Sequence, residues 1–250
     1  MHDTALLKLL SALLLTLAIS WTTSQAKADV RLPNVFGNHM VLQRHKPVTV
    51  WGSADQGEMV TVTFADQVKK TTAANSGQWT VQLDPLQTSF DGRELVVSGS
   101  DSRTVFSDVL VGEVWLCGGQ SNMEMKLRSS RNGDLEVPSA DSLAIRYLRM
   151  PKIARLEPQT DFPIDNIENG GRDWKRAIPE EVEDCTGVGY YFALRLQRRL
   201  QTPVGLIDTS WGGTMAQHWT TKQTLQGIDE MKPYLDKFNE QLTAWNEGGR

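Results

Sequence analysis

Apolar and β-branched positions between Asp29 and about Ser107 fall in short runs, many of them alternating with polar residues, which is the two-residue period of a half-buried strand. Val48-Thr-Val-Trp51, Met59-Val-Thr-Val-Thr-Phe64, Gln78-Trp-Thr-Val-Gln-Leu83 and Glu94-Leu-Val-Val-Ser98 carry this pattern, and turn clusters at Asn75-Ser-Gly77 and Asp91-Gly92 separate them. The pattern predicts a small β-sandwich domain over residues 29–108. Trp51 and Trp79 sit in these strands. A sugar-binding module would use them as platforms, whereas aromatic residues of short sandwich strands more often fill the core.

From Val109 onward the period lengthens, and strands and helices alternate as they do in a parallel sheet covered by helices. Val109 to Leu116, Ala144 to Leu148 and Val204-Gly-Leu-Ile-Asp208 read as strands. Between the last two, Val188, Phe192, Leu196 and Leu200 recur at four-residue steps while Arg195, Gln197, Arg198 and Arg199 lie mostly off that stripe. Gly187 to Leu200 is therefore an amphipathic helix, with Thr186 as its N-cap and Gln201-Thr-Pro203 as its stop. Residues 109–250 form a second domain. Residues 132–179, with Pro138, Pro151, Pro158 and Pro163, read mainly as a long loop able to wall a binding site, and Trp174 is a candidate for that wall.

The extreme amino terminus follows a different rule. Lys8 precedes an apolar run from Leu9 to Ile19, and Ala26-Lys27-Ala28 supplies a small-x-small cleavage pattern. Residues 1–28 read as a signal peptide, since the run is shorter than the roughly 18 to 20 residues that span a bilayer. The mature chain would begin at Asp29, be secreted or periplasmic, and keep no stable membrane span. A formal charge of −4 argues against nucleic acid as a partner, because phosphate binding needs clustered positive charge. Cys117 and Cys185 are too few and too far apart for a disulfide scaffold or a zinc site. Export would permit a bridge between them, and two small buried hydrophobes is the alternative.

Candidate chemistry gathers where the strand ending at Leu116 runs into Cys117-Gly-Gly-Gln-Ser-Asn-Met123. Two glycines let the chain turn sharply and leave Ser121 exposed at the sheet's carboxyl edge, where open α/β folds collect their ligands. The strand ending at Asp208 empties into Thr209-Ser-Trp-Gly-Gly-Thr214 at the same edge. A serine hydroxyl needs a base and donors for the oxyanion; Ser121 would offer its own amide, and Gly212 or Gly213 another. Asn122 or Gln120 could add a side-chain amide. Of the four histidines, His2, His39, His45 and His218, none sits in an obvious catalytic context.

The run Val114-Trp-Leu-Cys-Gly-Gly-Gln-Ser-Asn-Met123 closely resembles the nucleophile block of the sialate O-acetylesterase family, within the SGNH (GDSL-like) hydrolase superfamily. Met40-Val-Leu-Gln-Arg44 with Val48-Thr-Val-Trp-Gly52, Val188-Gly-Tyr-Tyr-Phe-Ala193, and Pro203 to Thr214 with Trp219-Thr-Thr221 are similar to further blocks of that family, in the same order. The resemblance implies a flavodoxin-like three-layer α/β fold and an esterase that removes O-acetyl groups from sialic acid or related sugars without metal or organic cofactor. It makes Ser121 the nucleophile, Gly212 in preference to Gly213 the oxyanion donor, and Gly119, Gln120 and Asn122 the rest of the first block.

One departure matters. The family's later Gln-Gly-Glu-Ser-like loop and Asp-x-x-His segment have no counterpart here, so the expectation is an incomplete hydrolase domain, the amino-terminal part of a longer enzyme. Acetylxylan-type deacetylation is an alternative within the hydrolases. A non-catalytic carbohydrate-binding remnant presenting Trp115, Trp174, Trp211 and Trp219 is an alternative outside them; of these, Trp174 and Trp219 are the candidates to face sugar.

Overall fold

The computed structural model describes residues 29–163 and 173–248, so the expected signal peptide and Asn169-Gly-Gly171 lie outside the described residues. Among the described residues ten strands form two sheets. In chain order they are β1 (Val41–Gln43), β2 (Val48–Ser53), β3 (Met59–Phe64), β4 (Gln67–Thr72), β5 (Gln78–Leu83), β6 (Ser89–Ser98), β7 (Arg103–Cys117), β8 (Ser142–Arg149), β9 (Lys175–Ala177) and β10 (Val204–Asp208). The larger sheet runs β4-β3-β6-β7-β10-β8-β9 with β1 beside β7, and β2 pairs with β5. It is a mixed α/β fold: β1, β10 and β8 join in parallel, while β3, β4, β6 and β9 join antiparallel.

β7 is the member both halves share. Its first part pairs with β6 from Ser98 opposite Arg103, and its last part pairs with β10 from Val204 opposite Glu113 to Asp208 opposite Cys117. The expected boundary at 108/109 thus falls inside one strand, at a place where the register with β6 shifts and Asp108 adopts a left-handed φ of 53°. An extra residue there bends the strand and raises its twist. The bend is tied down by charge: Asp108 Oδ2 accepts from buried Arg146 of β8 at 2.8 Å and meets His39 Nδ1 at 2.7 Å.

Strand alternation assigns the two faces of the parallel part. Ile145, Tyr147, Val204 and Leu206 pack on one face with Cys117, Tyr190 and Ala193, whereas Leu148 and Ile207 turn to the other face and join the core between β2–β5 and the larger sheet. Both faces are covered, which is why Val204–Asp208 is nearly continuous in apolar residues. The second face needs space: a Cβ on Gly205 would lie 2.8 Å from Val41 Cβ and 3.2 Å from the Trp174 ring.

Helix α3 (Gly187–Leu200) begins and ends where the sequence predicts, and Thr186 accepts the Gly189 N–H at 3.2 Å as its cap. Its buried face differs from the predicted stripe. Gly187, Gly189, Tyr190 and Ala193 are buried, while Val188, Phe192 and Leu200 are more than 40% exposed. Close approach decides this, since a Cβ on Gly189 would come within 3.1 Å of Cys117 Sγ and 3.3 Å of Leu206. Small residues let the helix sit on the sheet, and the bulky stripe is left beside β7, where Phe192 meets Trp115 edge-on at 5.0 Å. The other α-helices among the described residues are α1 (Ser121–Glu124), α2 (Gly133–Ser139), α4 (Lys222–Gln226) and α5 (Lys232–Gly248). Among the described residues no helix is long and apolar enough to cross a membrane.

The crossing from β7 to β10 predicts a sensitive position. A Cβ on Gly112 would lie 2.0 Å from the Pro203 carbonyl oxygen, a backbone atom that has little room to yield. Gly112→Ala should lower stability by about 3 kcal/mol in urea unfolding, whereas Thr186→Ala should cost about 1 kcal/mol through its cap. Wild-type stability in Gly112→Ala would contradict this packing.

Candidate active site

Hydrogen bonding between the two central strands continues past their ends. Thr209 N–H donates to Cys117 O at 3.0 Å, and Trp211 N–H donates to Gly119 O at 2.8 Å. The two glycine turns are therefore laid side by side rather than left to diverge. Gly119 holds a φ of 138°, a conformation that side chains disfavour, and so reverses the chain within one residue of Gln120. Ser121 then opens α1, closed by Glu124 N–H to Gln120 O at 2.9 Å and Met125 N–H to Ser121 O at 3.0 Å.

Ser121 is exposed, and its hydroxyl makes only a long contact of 3.4 Å to Gln120 Oε1. The oxygen remains open to solvent and substrate. Gly212 lies beside the Ser121 backbone: a Cβ built there would be 3.7 Å from Ser121 Cα and 2.6 Å from Glu124 Oε2. Gly213, with φ 80°, faces open space, which only a glycine can occupy without strain at that angle. The Gly212 N–H donates to the Glu124 carboxylate, whose other oxygen pairs with Lys152 Nζ. Burial lowers the Lys152 pKa from its ordinary value, and the charge of Asp208 opposes that shift.

Around this centre, Trp219 is 46% exposed and its ring comes 3.6 Å from a Cβ built on Gly118. Its indole N–H donates to Thr214 Oγ1 at 2.9 Å, and Thr214 Oγ1 donates to Trp211 O at 2.7 Å. The ring is thereby fixed beside the first glycine turn. His218 belongs to the same 3-10 turn, Ala216–Trp219, and its Nδ1 accepts the Met215 N–H at 3.0 Å. Among the described residues no histidine bonds to Ser121, and no cluster of three or more His, Cys, Asp or Glu is placed to hold a metal ion. Asn122 is exposed on α1.

Below the site, α1 is anchored to the start of α3. Leu127 N–H donates to Cys185 O and Gly187 N–H to Met125 O, both at 2.8 Å. Lys126 pairs with Asp184 at 2.8 Å and Arg128 pairs with it at 2.6 Å. Cys117 and Cys185 are both free and buried. Burial pushes the Cys117 thiol up to about 11 with Asp208 adding to the shift, and burial likewise raises Cys185.

Trp174 is a correction to the sequence reading. It is 3% exposed, donates its indole N–H to Val35 O at 2.8 Å, and packs over Gly205 in the core, so it does not wall a site. Trp79 is core as well, whereas Trp51 remains 37% exposed against Phe36. The residues that sequence reasoning missed are Glu124 and Lys152. Glu124 stands one turn from Ser121, a signal that could have marked it, but Lys152 is 28 residues away in a Pro-rich stretch and gives none.

Two outcomes follow. Trp174→Ala should destabilise the protein by about 3 to 5 kcal/mol, and Trp219→Ala by less than about 1.5 kcal/mol, as read by chemical denaturation. Raised pKa values keep both thiols protonated throughout pH 6–9, so iodoacetamide at pH 8 should modify neither cysteine until denaturant is added; rapid native modification would contradict the burial.

Residues 111–244 match the family model described as carbohydrate esterase, sialic acid-specific acetylesterase. Sialate O-acetylesterase of Mus musculus is 28% identical over 91% of this chain and 46% of its own length, and that of Homo sapiens 29% identical over 83% and 42%. A crystal structure of a carbohydrate acetylesterase from Xanthomonas citri superposes with a TM-score of 0.73 at 32% identity, over 80% of this chain and 44% of that one. The chain spans less than half the length of each of these relatives. With more than half of its residues inside the matched region, the chain belongs to the sialic acid-specific acetylesterase family of carbohydrate esterases.

Proposed function

We propose that this chain carries the nucleophile half of an esterase that removes O-acetyl groups from sialic acid or related acetylated sugars. The observation that supports this reading most is exposed Ser121, whose backbone lies beside the Gly212 turn at the carboxyl end of parallel strands. In this reading Ser121 Oγ attacks the acetyl carbonyl and gives up its proton to a base. The amides of Ser121 and Gly212, with Gly213 beside them, stabilise the oxyanion, and the sugar hydroxyl leaves with a proton. Water then releases acetate from the acetyl-serine. Trp219 offers an aromatic face to the sugar, and Gln120, Asn122 and Gly119 shape the turn.

No histidine of this chain is assigned as the base, because none hydrogen-bonds to Ser121 among the described residues. We infer that the base and its acid partner come from polypeptide equivalent to the second half of the longer relatives, which would also complete the hydrolase sheet. Exposed apolar surface beside β7 supports that inference: among the described residues its strand partner beyond Gly112 is β10 alone, Gln43 Oε1 takes up the Val114 N–H, and Leu116 is 68% exposed. Within the same proposal residues 29–108 are a β-sandwich domain, residues 109–250 belong to the hydrolase domain, and residues 1–28 direct export.

A fluorophosphonate probe and an acetylated chromogenic ester test the reading. The chain should label at Ser121, with Ser121→Ala abolishing the signal. Coexpression with the second half of a relative should raise acetate release by about a thousandfold or more, the scale of a restored triad histidine. Absence of labelling in both preparations would overturn the esterase reading; sugar affinity unchanged by Ser121→Ala would then favour a binding protein.

A further inference from the structure

Glu124 occupies the place where the proposed chemistry needs a donor. It sits three residues after Ser121 in the same turn, and its carboxylate crosses to the neighbouring loop to accept the Gly212 N–H. An amide carries one hydrogen, and an ionised carboxylate is an acceptor only, so this N–H cannot serve Glu124 and an acyl oxygen at full strength together. Two negative oxygens converging on one donor also repel each other. If Gly212 stabilises the oxyanion, Glu124 has to give way.

The surroundings provide for that. Lys152 Nζ already pairs with the second Glu124 oxygen, and the lysine side chain is 17% exposed. With three donors on its ammonium, Lys152 keeps the carboxylate paired after the Gly212 contact is lost. Lys152 is the charged group that faces Glu124, and Asp208 at the end of β10 acts on Lys152 in turn. A Cβ on Gly212 would press on Glu124 Oε2, so a side chain there would displace the carboxylate.

We propose that Glu124 is a positioning residue of the serine site: it holds the Gly212 amide in the resting protein and hands it to the acyl oxygen of the bound ester, while Lys152 retains the displaced carboxylate. This rests on the reading of Ser121 as nucleophile. It explains how a loop with glycines at 212 and 213 is kept in register with Ser121 before any substrate is present. An incoming ester completes the exchange.

Glycine-selective 15N spectra of the full chain test it. The Gly212 amide resonance should move as pH crosses the carboxylate range, and the movement should vanish in Glu124→Gln. After fluorophosphonate modification of Ser121, the phosphonyl oxygen should hold this amide, and its pH-dependent movement should vanish in the wild type too. Glu124→Gln should be phosphonylated about fivefold faster, because a neutral amide competes less for the donor. A Gly212 resonance indifferent to pH in the unmodified wild type would overturn the resting contact. Movement that persists after Ser121 is modified would overturn the hand-over. If Ser121 takes no label even on coexpression with the second half of a relative, the nucleophile reading fails and the hand-over with it, while the titration still decides the resting contact.

Discussion

Five pairs of parallel ladder, from Val204 opposite Glu113 to Asp208 opposite Cys117, determine where everything of chemical interest lies. Parallel strands end at the same edge of a sheet, so the turns that follow them leave together. Here the pairing outlasts the strands, through Thr209 to Cys117 and Trp211 to Gly119, and lays one glycine turn on the other. Ser121 gains its position from the first turn and its neighbour Gly212 from the second. Neither turn alone would define a site, because a serine in a polar turn is an ordinary surface residue.

The same ladder depends on close packing elsewhere. β7 passes from an antiparallel partner to a parallel one, bending at Asp108, where Arg146 and His39 converge on one carboxylate. Gly112 lets Pro203 cross, Gly205 lets Trp174 and Val41 lie on one face, and Gly189 lets α3 lie on the other. Interiors packed at crystal-like density transmit such constraints with little slack. The consequence for function is that the site rests on strand ends fixed from both faces.

Much of this was legible in the chain. β3, β5, β10 and α3 occur with the bounds that their apolar patterns and flanking turn residues give. β4 escaped notice for a physical reason: Gln67–Thr72 carries Lys69 and Lys70, has Val68 as its one large apolar residue, and lies at the end of the sheet, where charge discourages pairing with other chains. The face of α3 was misjudged because contact went to the small residues, Gly189 and Ala193, that allow the shortest approach. Trp174 was misplaced because its burial depends on an absent side chain at position 205, a contact no local pattern encodes. The link from Glu124 to Lys152 is likewise non-local.

Residue-resolved hydrogen exchange on the amides of Thr209 and Trp211 tests the central claim most directly. If the strand ladder continues into the two glycine turns, both amides should exchange slowly, with protection approaching that of Leu206 and Ile207 in β10. Exchange of Thr209 and Trp211 at the rate of an open chain, while Leu206 and Ile207 stay protected, would mean that the turns part after the strands and that Ser121 and Gly212 do not share a site.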